Sequence, residues 1–208
     1  RARMAGLVGF ALCSLAVAGP SGRSVPQPLQ AGGGARVLAL DLSSATLAGD
    51  LQPSRLAQAR SRLDALLRAH AGEVALVVYA DDAHVVSPMT VDPANVAVFL
   101  DALAPDIMPV DGQRPGRAID LAVDLLEQAG HARGTILLLA PGSDVAGERA
   151  AARAAARGHV VSVLAMGTPE GAGYRGRDGG IARSALDMAS LAALAAAGPG
   201  SALVSVSS

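Results

Sequence analysis

The stretch at residues 36–45 constrains the fold more tightly than any other. An aliphatic run, Val37-Leu38-Ala39-Leu40, contains no glycine or proline, stops at Asp41 and is followed by Ser43, Ser44 and Ala45. An unbroken apolar run reads as a strand buried on both faces, because a strand with one wet face alternates apolar with polar. Its acidic, hydroxyl-bearing end then lies at the C-terminal crest of a parallel sheet, where loops collect and ligands sit. Asp41 and Ser43 are therefore the first candidate site residues.

The remaining runs extend this frame. Residues 73–80, 135–139, 159–165 and 202–206 read as strands, and 83–87, reached through the turn Asp81-Asp82, as the second arm of an edge hairpin. Pro53 opens a helix with Leu56, Ala59, Leu63, Leu66 and Leu67 on one face and Arg55, Arg60, Arg62 and Arg68 opposite. Residues 92–103 read as a helix capped by Asp92, carrying Val96, Phe99, Leu100 and Leu103 inward. Further helices are expected over 116–128, 145–157 and 186–197, the first two closed by Gly130 and Gly158. Strands that alternate with helices are joined by crossovers, so the expected fold is α/β: a doubly wound, mostly parallel, Rossmann-like sheet with one antiparallel edge strand and helices on both faces.

Composition narrows the function. Hydrophobic residues make up 51% of the 208 residues and aromatics 2%, so the core is expected to be Ala, Leu and Val in close-packed layers. A net charge of −1 and so few aromatic rings exclude nucleic acid as a partner, which needs a basic field and stacking platforms. The single cysteine, Cys13, forms neither an internal disulfide nor a cysteine metal cluster, and leaves the compartment open.

Residues 1–20 pair Arg1 and Arg3 with an uncharged apolar run, the pattern of a positively flanked membrane segment a few residues short of the ~20 a spanning helix needs. A start at Arg fits a segment that continues upstream. A signal peptide, with Ala16-Val17-Ala18 as its cleavage site, and a buried core helix are the alternatives. Residues 21–35, rich in Pro, Gly, Ser and Gln, read as a linker, and residues 36–208 as the domain. Other signals are weaker. Gly171-Ala-Gly-Tyr-Arg-Gly176 matches a nucleotide-loop spacing but is followed by no helix, so a turn or hairpin is expected. His70, His84, His131 and His159 fall in separate elements, and Asp81-Asp82 reads as a solvated turn.

The Asp41-x-Ser43 start, the Pro53-Ser-Arg-Leu56 helix opening and the stretch Asp106-Ile-Met-Pro-Val-Asp-Gly112 together resemble a von Willebrand factor type A domain, and more narrowly the membrane-anchored Bat aerotolerance proteins of bacteria. The resemblance implies a divalent ion held by an Asp and two Ser in the first loop, a Thr or Ser in the second and an Asp in the third. Asp41 and Ser43 match, whereas Ala45, Gln113 and Pro141 stand at the other three places. Because Mg²⁺ demands about six oxygens in octahedral order, a remnant site, weak or empty and with no cofactor, is expected, Asp41 and Ser43 acting as turn and capping groups. Asp111, Gln113, Ser143 and Asp144 form a possible rim from which a rearranged site could draw oxygens for Mg²⁺ or Mn²⁺. The implied function is a membrane-tethered, non-enzymatic interaction domain in complex assembly or stress tolerance, with sister type A domain proteins and an AAA-type ATPase as partners. A cation-dependent ligand binder is the alternative. The implied location is the bacterial inner membrane, with the domain on the periplasmic side by the positive-inside rule.

Overall fold

The aliphatic run that ends in Asp41 lies at the centre of the sheet. In the computed structural model, which describes residues 34–198, 200 and 202–205, β1 (Arg36–Asp41) pairs in parallel with β2 (Val74–Tyr79) on one side and β4 (Thr135–Ala140) on the other. Antiparallel β3 (Ala83–Thr90) flanks β2, while β5 (Val160–Ala165) and β8 (Leu203–Ser205) extend the parallel side, giving the order β3-β2-β1-β4-β5-β8. This is the mostly parallel sheet with one antiparallel edge strand that the alternation of elements requires. The glycine-rich stretch forms a separate antiparallel hairpin, β6 (Ala172–Arg175) with β7 (Ile181–Ser184).

Each central strand buries both faces, and the two faces differ. One face, carrying Val37, Ala39, Ala75 and Val77 and continued by Val161 and Val163 of β5, is covered by α3 (Pro115–Gln128) over β1 and β2 and by α4 (Val145–Ala156) and α5 (Met188–Ala196) over β5, with Ala150, Ala151 and Ala154 in the same core. Leu38, Leu40, Leu76 and Val78 face α1 (Arg55–Ala69) and α2 (Pro93–Ala97) through Leu56, Leu63, Leu67 and Val96. Side-chain period two across the pleat accounts for the division. Small residues on the first face let α4 approach the sheet closely, so the chain fills its core without aromatic bulk.

Four local expectations are corrected. Pro53 does not open α1, which starts at Arg55 behind Ser54, whose Oγ accepts the Ala57 N–H (3.1 Å). The helix expected over 92–103 stops at Ala97 and resumes as a 3₁₀ turn, Leu100–Ala102. The tighter winding keeps Leu100 and Leu103 buried but turns Phe99 outward, 41% exposed. The last helix starts at Met188 and not at 186, because Asp187 caps it by accepting a hydrogen bond from the Ser190 N–H (3.1 Å). Arg55, expected on the wet face of α1, is 2% exposed. The expected membrane segment (1–20), the linker except for residues 34 and 35, and the end of the 202–206 strand lie outside the described residues. Among the described residues no helix is long and apolar enough to cross a membrane.

Candidate functional site

β1 carries Asp41 to the crest between the ends of β2 and β4, and there it is 2% exposed. Its Oδ1 accepts the Ser43 N–H (2.8 Å), closing an Asx turn that starts the 3₁₀ turn Ser44–Leu47. Ser43 occupies the cap position of that turn but makes no side-chain cap bond, contrary to the capping role expected of it. Its Oγ instead accepts from Gln113 Nε2 (3.3 Å), which also donates to Asp41 Oδ2 (3.1 Å). One carboxamide thus bridges the carboxylate and the hydroxyl of the first loop.

The loop bearing Gln113 is held from both sides. Asp111 Oδ1 accepts the Ser44 N–H (2.9 Å) and the Gly112 N–H (3.0 Å), while the Arg114 N–H donates to the Ala80 carbonyl (2.9 Å). Gly112 passes so close to the β2–β3 turn that an added Cβ would stand 2.9 Å from Asp81 Cα. A side chain there would push Gln113 away from Asp41.

Of the other expected rim residues, Ser143 and Asp144 do not reach Asp41. Asp144 Oδ1 caps α4 by accepting the Gly147 N–H (2.7 Å), and the Ser143 N–H donates to Ser190 Oγ (3.0 Å). Both line a cleft of about 220 Å³ whose opposite wall includes Ser184 and Asp187, with Gln113 beside Asp41 completing it. Ala45 and Pro141 do lie by Asp41: all three line a cavity of about 10 Å³ beneath the crest. A methyl group and a pyrrolidine ring offer no oxygen there, and Gln113 presents an N–H donor to the carboxylate. In this arrangement Gln113 meets one carboxylate and one hydroxyl, those of Asp41 and Ser43, against the about six oxygens that a hard cation takes.

Burial pushes the Asp41 carboxyl up to about 6, against the opposing pull of its Ser43 and Gln113 hydrogen bonds, and the charge of Asp111 adds to the rise. Next to it in β2, Tyr79 is fully buried, its Oη pointing at the Leu139 carbonyl at 3.5 Å. Burial, then the charge of Asp41, raises this phenol well above its ordinary value.

A second polar cluster lies nine residues on, and the sequence pattern did not disclose it. Arg55 Nε and Nη2 bind Asp50 Oδ1 and Oδ2 at 2.6 and 2.7 Å, with side chains 2% and 4% exposed. Nη1 donates to Ser184 Oγ (2.8 Å) and Nη2 to the Ser184 carbonyl (2.9 Å), while Asp50 Oδ2 also accepts the Thr168 N–H (2.7 Å). Gly167, at φ +133°, makes room for the guanidinium: a Cβ there would lie 2.9 Å from Arg55 Cζ. The cluster ties the base of the β6–β7 hairpin to the start of α1. At the hairpin tip Arg177 donates to the carbonyls of Met108 and Asp106, so the hairpin is fastened at both ends beside the crest.

Comparison with known proteins accords with this architecture. The family described as von Willebrand factor type A domain matches residues 37–143. BatB, a conserved hypothetical protein of Bacteroides thetaiotaomicron, is 33% identical over 84% of this chain and 90% of its own, with a TM-score of 0.75. An aerotolerance-related membrane protein of Bacteroides fragilis is 30% identical over 84% of this chain and 92% of its own, with a TM-score of 0.76. Proximal thread matrix protein 1 of the mussel byssus, 16% identical over 86% of this chain and 43% of its own, shares the fold alone, at a TM-score of 0.63. Comparison with curated proteins found no match. On the family match and the two Bacteroides structures together, this chain belongs to the von Willebrand factor type A domain family and is similar to the bacterial Bat proteins.

Proposed function

We propose that this chain is a non-enzymatic protein–protein interaction domain whose crest works without a cation, its metal-ion-dependent adhesion site having degenerated. The Gln113 carboxamide bridging Asp41 and Ser43 carries the reading, because it satisfies the two matching ligands with a donor where a cation would need oxygens. The likeness to a Bacteroides protein described as an aerotolerance-related membrane protein supports a role at a membrane, in complex assembly or stress tolerance. Tethering through residues 1–20, an inner-membrane location with the domain on the periplasmic side, and partnership with sister type A domain proteins and an AAA-type ATPase belong to the same proposal. No cofactor enters it.

Restoring the oxygens tests the reading. Ala45→Ser, Gln113→Thr and Pro141→Asp together supply two hydroxyls and a second carboxylate around Asp41. Calorimetry should show Mg²⁺ or Mn²⁺ binding by the triple variant and none by the parent at millimolar metal, and EDTA should leave the parent's melting temperature unchanged. Equal binding by both proteins would replace this reading with cation-dependent ligand capture, in which Asp111 and its neighbours hold the ion.

A further inference from the structure

Strand β7 has one edge paired with β6 and the other unpaired among the described residues. The hairpin turn is closed by the Gly176 N–H donating to the Gly180 carbonyl (2.8 Å), and Tyr174 pairs with Ala182 and Ala172 with Ser184. In an antiparallel ladder bonded and non-bonded pairs alternate, so Tyr174–Ala182 and Ala172–Ser184 exchange the cross-strand bonds. The N–H and C=O groups of Ile181 and Arg183 therefore point away from β6, on a side where no strand among the described residues pairs with β7. Ile181 is 82% exposed. An open edge of this kind is a template for another extended chain.

That edge runs into the cleft beside Gln113. Ser184 is at once the last residue of β7, a wall of the cleft and the anchor for the buried Arg55, so the strand end is held rigidly at the point where the cleft begins. Asp144 and Asp187 stand in the lining, and among the described residues no basic side chain does. Each uses Oδ1 to cap a helix, α4 or α5; the Asp187 carboxyl is further engaged by Ser190, whereas Asp144 Oδ2 accepts no bond from the described residues. Two helix starts contribute about +0.5 each and the two carboxylates about −1 each, which leaves the cleft at roughly −1. Arg114 feels the charge of Asp144 but is engaged by Asp81 at 2.7 Å.

We propose that the open edge of β7 and the cleft at its end form one docking site for an extended segment of a partner protein, which adds to β7 as a strand and places a lysine or arginine side chain between Asp144 and Asp187. Backbone bonds to Ile181 and Arg183 hold the segment, and the cleft selects its basic side chain. A cation supplied by the partner then occupies a crest whose own carboxylates are left without one. The proposal rests on the interaction-domain reading and names the chemistry of the partner.

The test is selection of a random heptapeptide display library on the full chain. Enriched peptides should alternate β-branched residues and share one Lys or Arg at a fixed position. A synthetic copy should lose at least tenfold in affinity for the Asp144→Asn, Asp187→Asn double variant, in which asparagine keeps both caps and an unchanged melting temperature confirms the fold. N-methylation of the peptide at alternate residues should cost at least as much, because it removes the strand bonds without touching the protein. Enrichment with no fixed basic position, insensitivity to either change, or no enrichment at all would overturn the docking site. None of these outcomes bears on whether Asp41 holds a cation, which the metal calorimetry decides separately.

Discussion

Asp41 and Asp50 are nine positions apart, both nearly inaccessible to water, and their protonation is driven in opposite directions. Burial dominates at Asp41 and carries its carboxyl up to about 6. Burial acts upward at Asp50 too, yet the Arg55 hydrogen bonds, the Thr168 N–H and the Arg55 charge outweigh it and hold that carboxyl at about 2. The difference is the charge of the partner: Gln113 offers Asp41 a neutral dipole, whereas Arg55 offers Asp50 a full, bidentate cation. A buried acid is costly beside the first and stabilising beside the second. The consequences for pH are opposite. Asp50 contributes stability above the ordinary carboxylate value that is lost as pH falls from about 4 toward 2. At Asp41 the fold binds a proton more tightly than the unfolded chain does, so stability falls as pH rises from about 4 to 6 and stays lower above that.

Breaking the ion pair is the severest way to probe this contrast. Arg55→Met strands a carboxylate 4% exposed, and the expected cost is about 3–5 kcal/mol in urea unfolding. Adding Asp50→Leu should recover much of that loss, because no buried charge then remains. A cost below about 1 kcal/mol for the single change would show that water reaches Asp50 and would dissolve the comparison. Asp41→Asn should act the other way, stabilising at pH 7.5 by about 2–3 kcal/mol, the equivalent of the carboxyl's upward displacement. The gain should shrink as pH falls through 6 toward 4, where the parent's carboxyl is already protonated. A gain that does not vary with pH would mean that Asp41 carries no penalty of charge. The smallest effect is expected at His159, a third buried polar group, neither of whose ring nitrogens has a hydrogen-bond partner among the described residues. Burial lowers its pKa against the pull of Glu127, so the parent should lose stability as pH drops below about 6.5. His159→Leu should add about 1 kcal/mol at neutral pH and flatten that acid limb, as measured by thermal melts at pH 5.5 and 7.5.

The sheet was legible in the sequence because its signals are local: an aliphatic run has the same meaning wherever it pairs, and Asp41 and Ser43 follow directly from where β1 ends. The glycines after 170 likewise marked a turn or hairpin. Arg55 was not legible. Helical spacing sets it one turn before Ala59, on the buried side, but its charge argued for water, and what accommodates that charge is Asp50 together with Ser184, contributed 129 residues later. Gln113 was visible as a changed ligand but not as a bridge, since its reach to Asp41 depends on the Asp111–Ser44 bond and on the fit of Gly112 against Asp81. The break after Ala97 was hidden for a subtler reason: Val96, Leu100 and Leu103 share a buried side whether or not the turns between them are α-helical. Of the expected rim, Asp111 joined the crest through Ser44, while Asp144 went to the neighbouring cleft because helix capping claimed it, and Ser143 went with it, its N–H bound to Ser190.

The chain contains no tryptophan and only two tyrosines. Tyr79 lies beside Asp41 in the sheet, and Tyr174 is close enough to Asp111 and Asp41 for their charges to help raise its phenol, after burial. Ultraviolet emission from this protein therefore comes from phenols near the crest, with no indole to drain or mask it. Any event there, whether protonation of Asp41, entry of a metal into the restored variant or arrival of a peptide on the hairpin, falls within reach of an intrinsic fluorophore, and the site can be watched without a label.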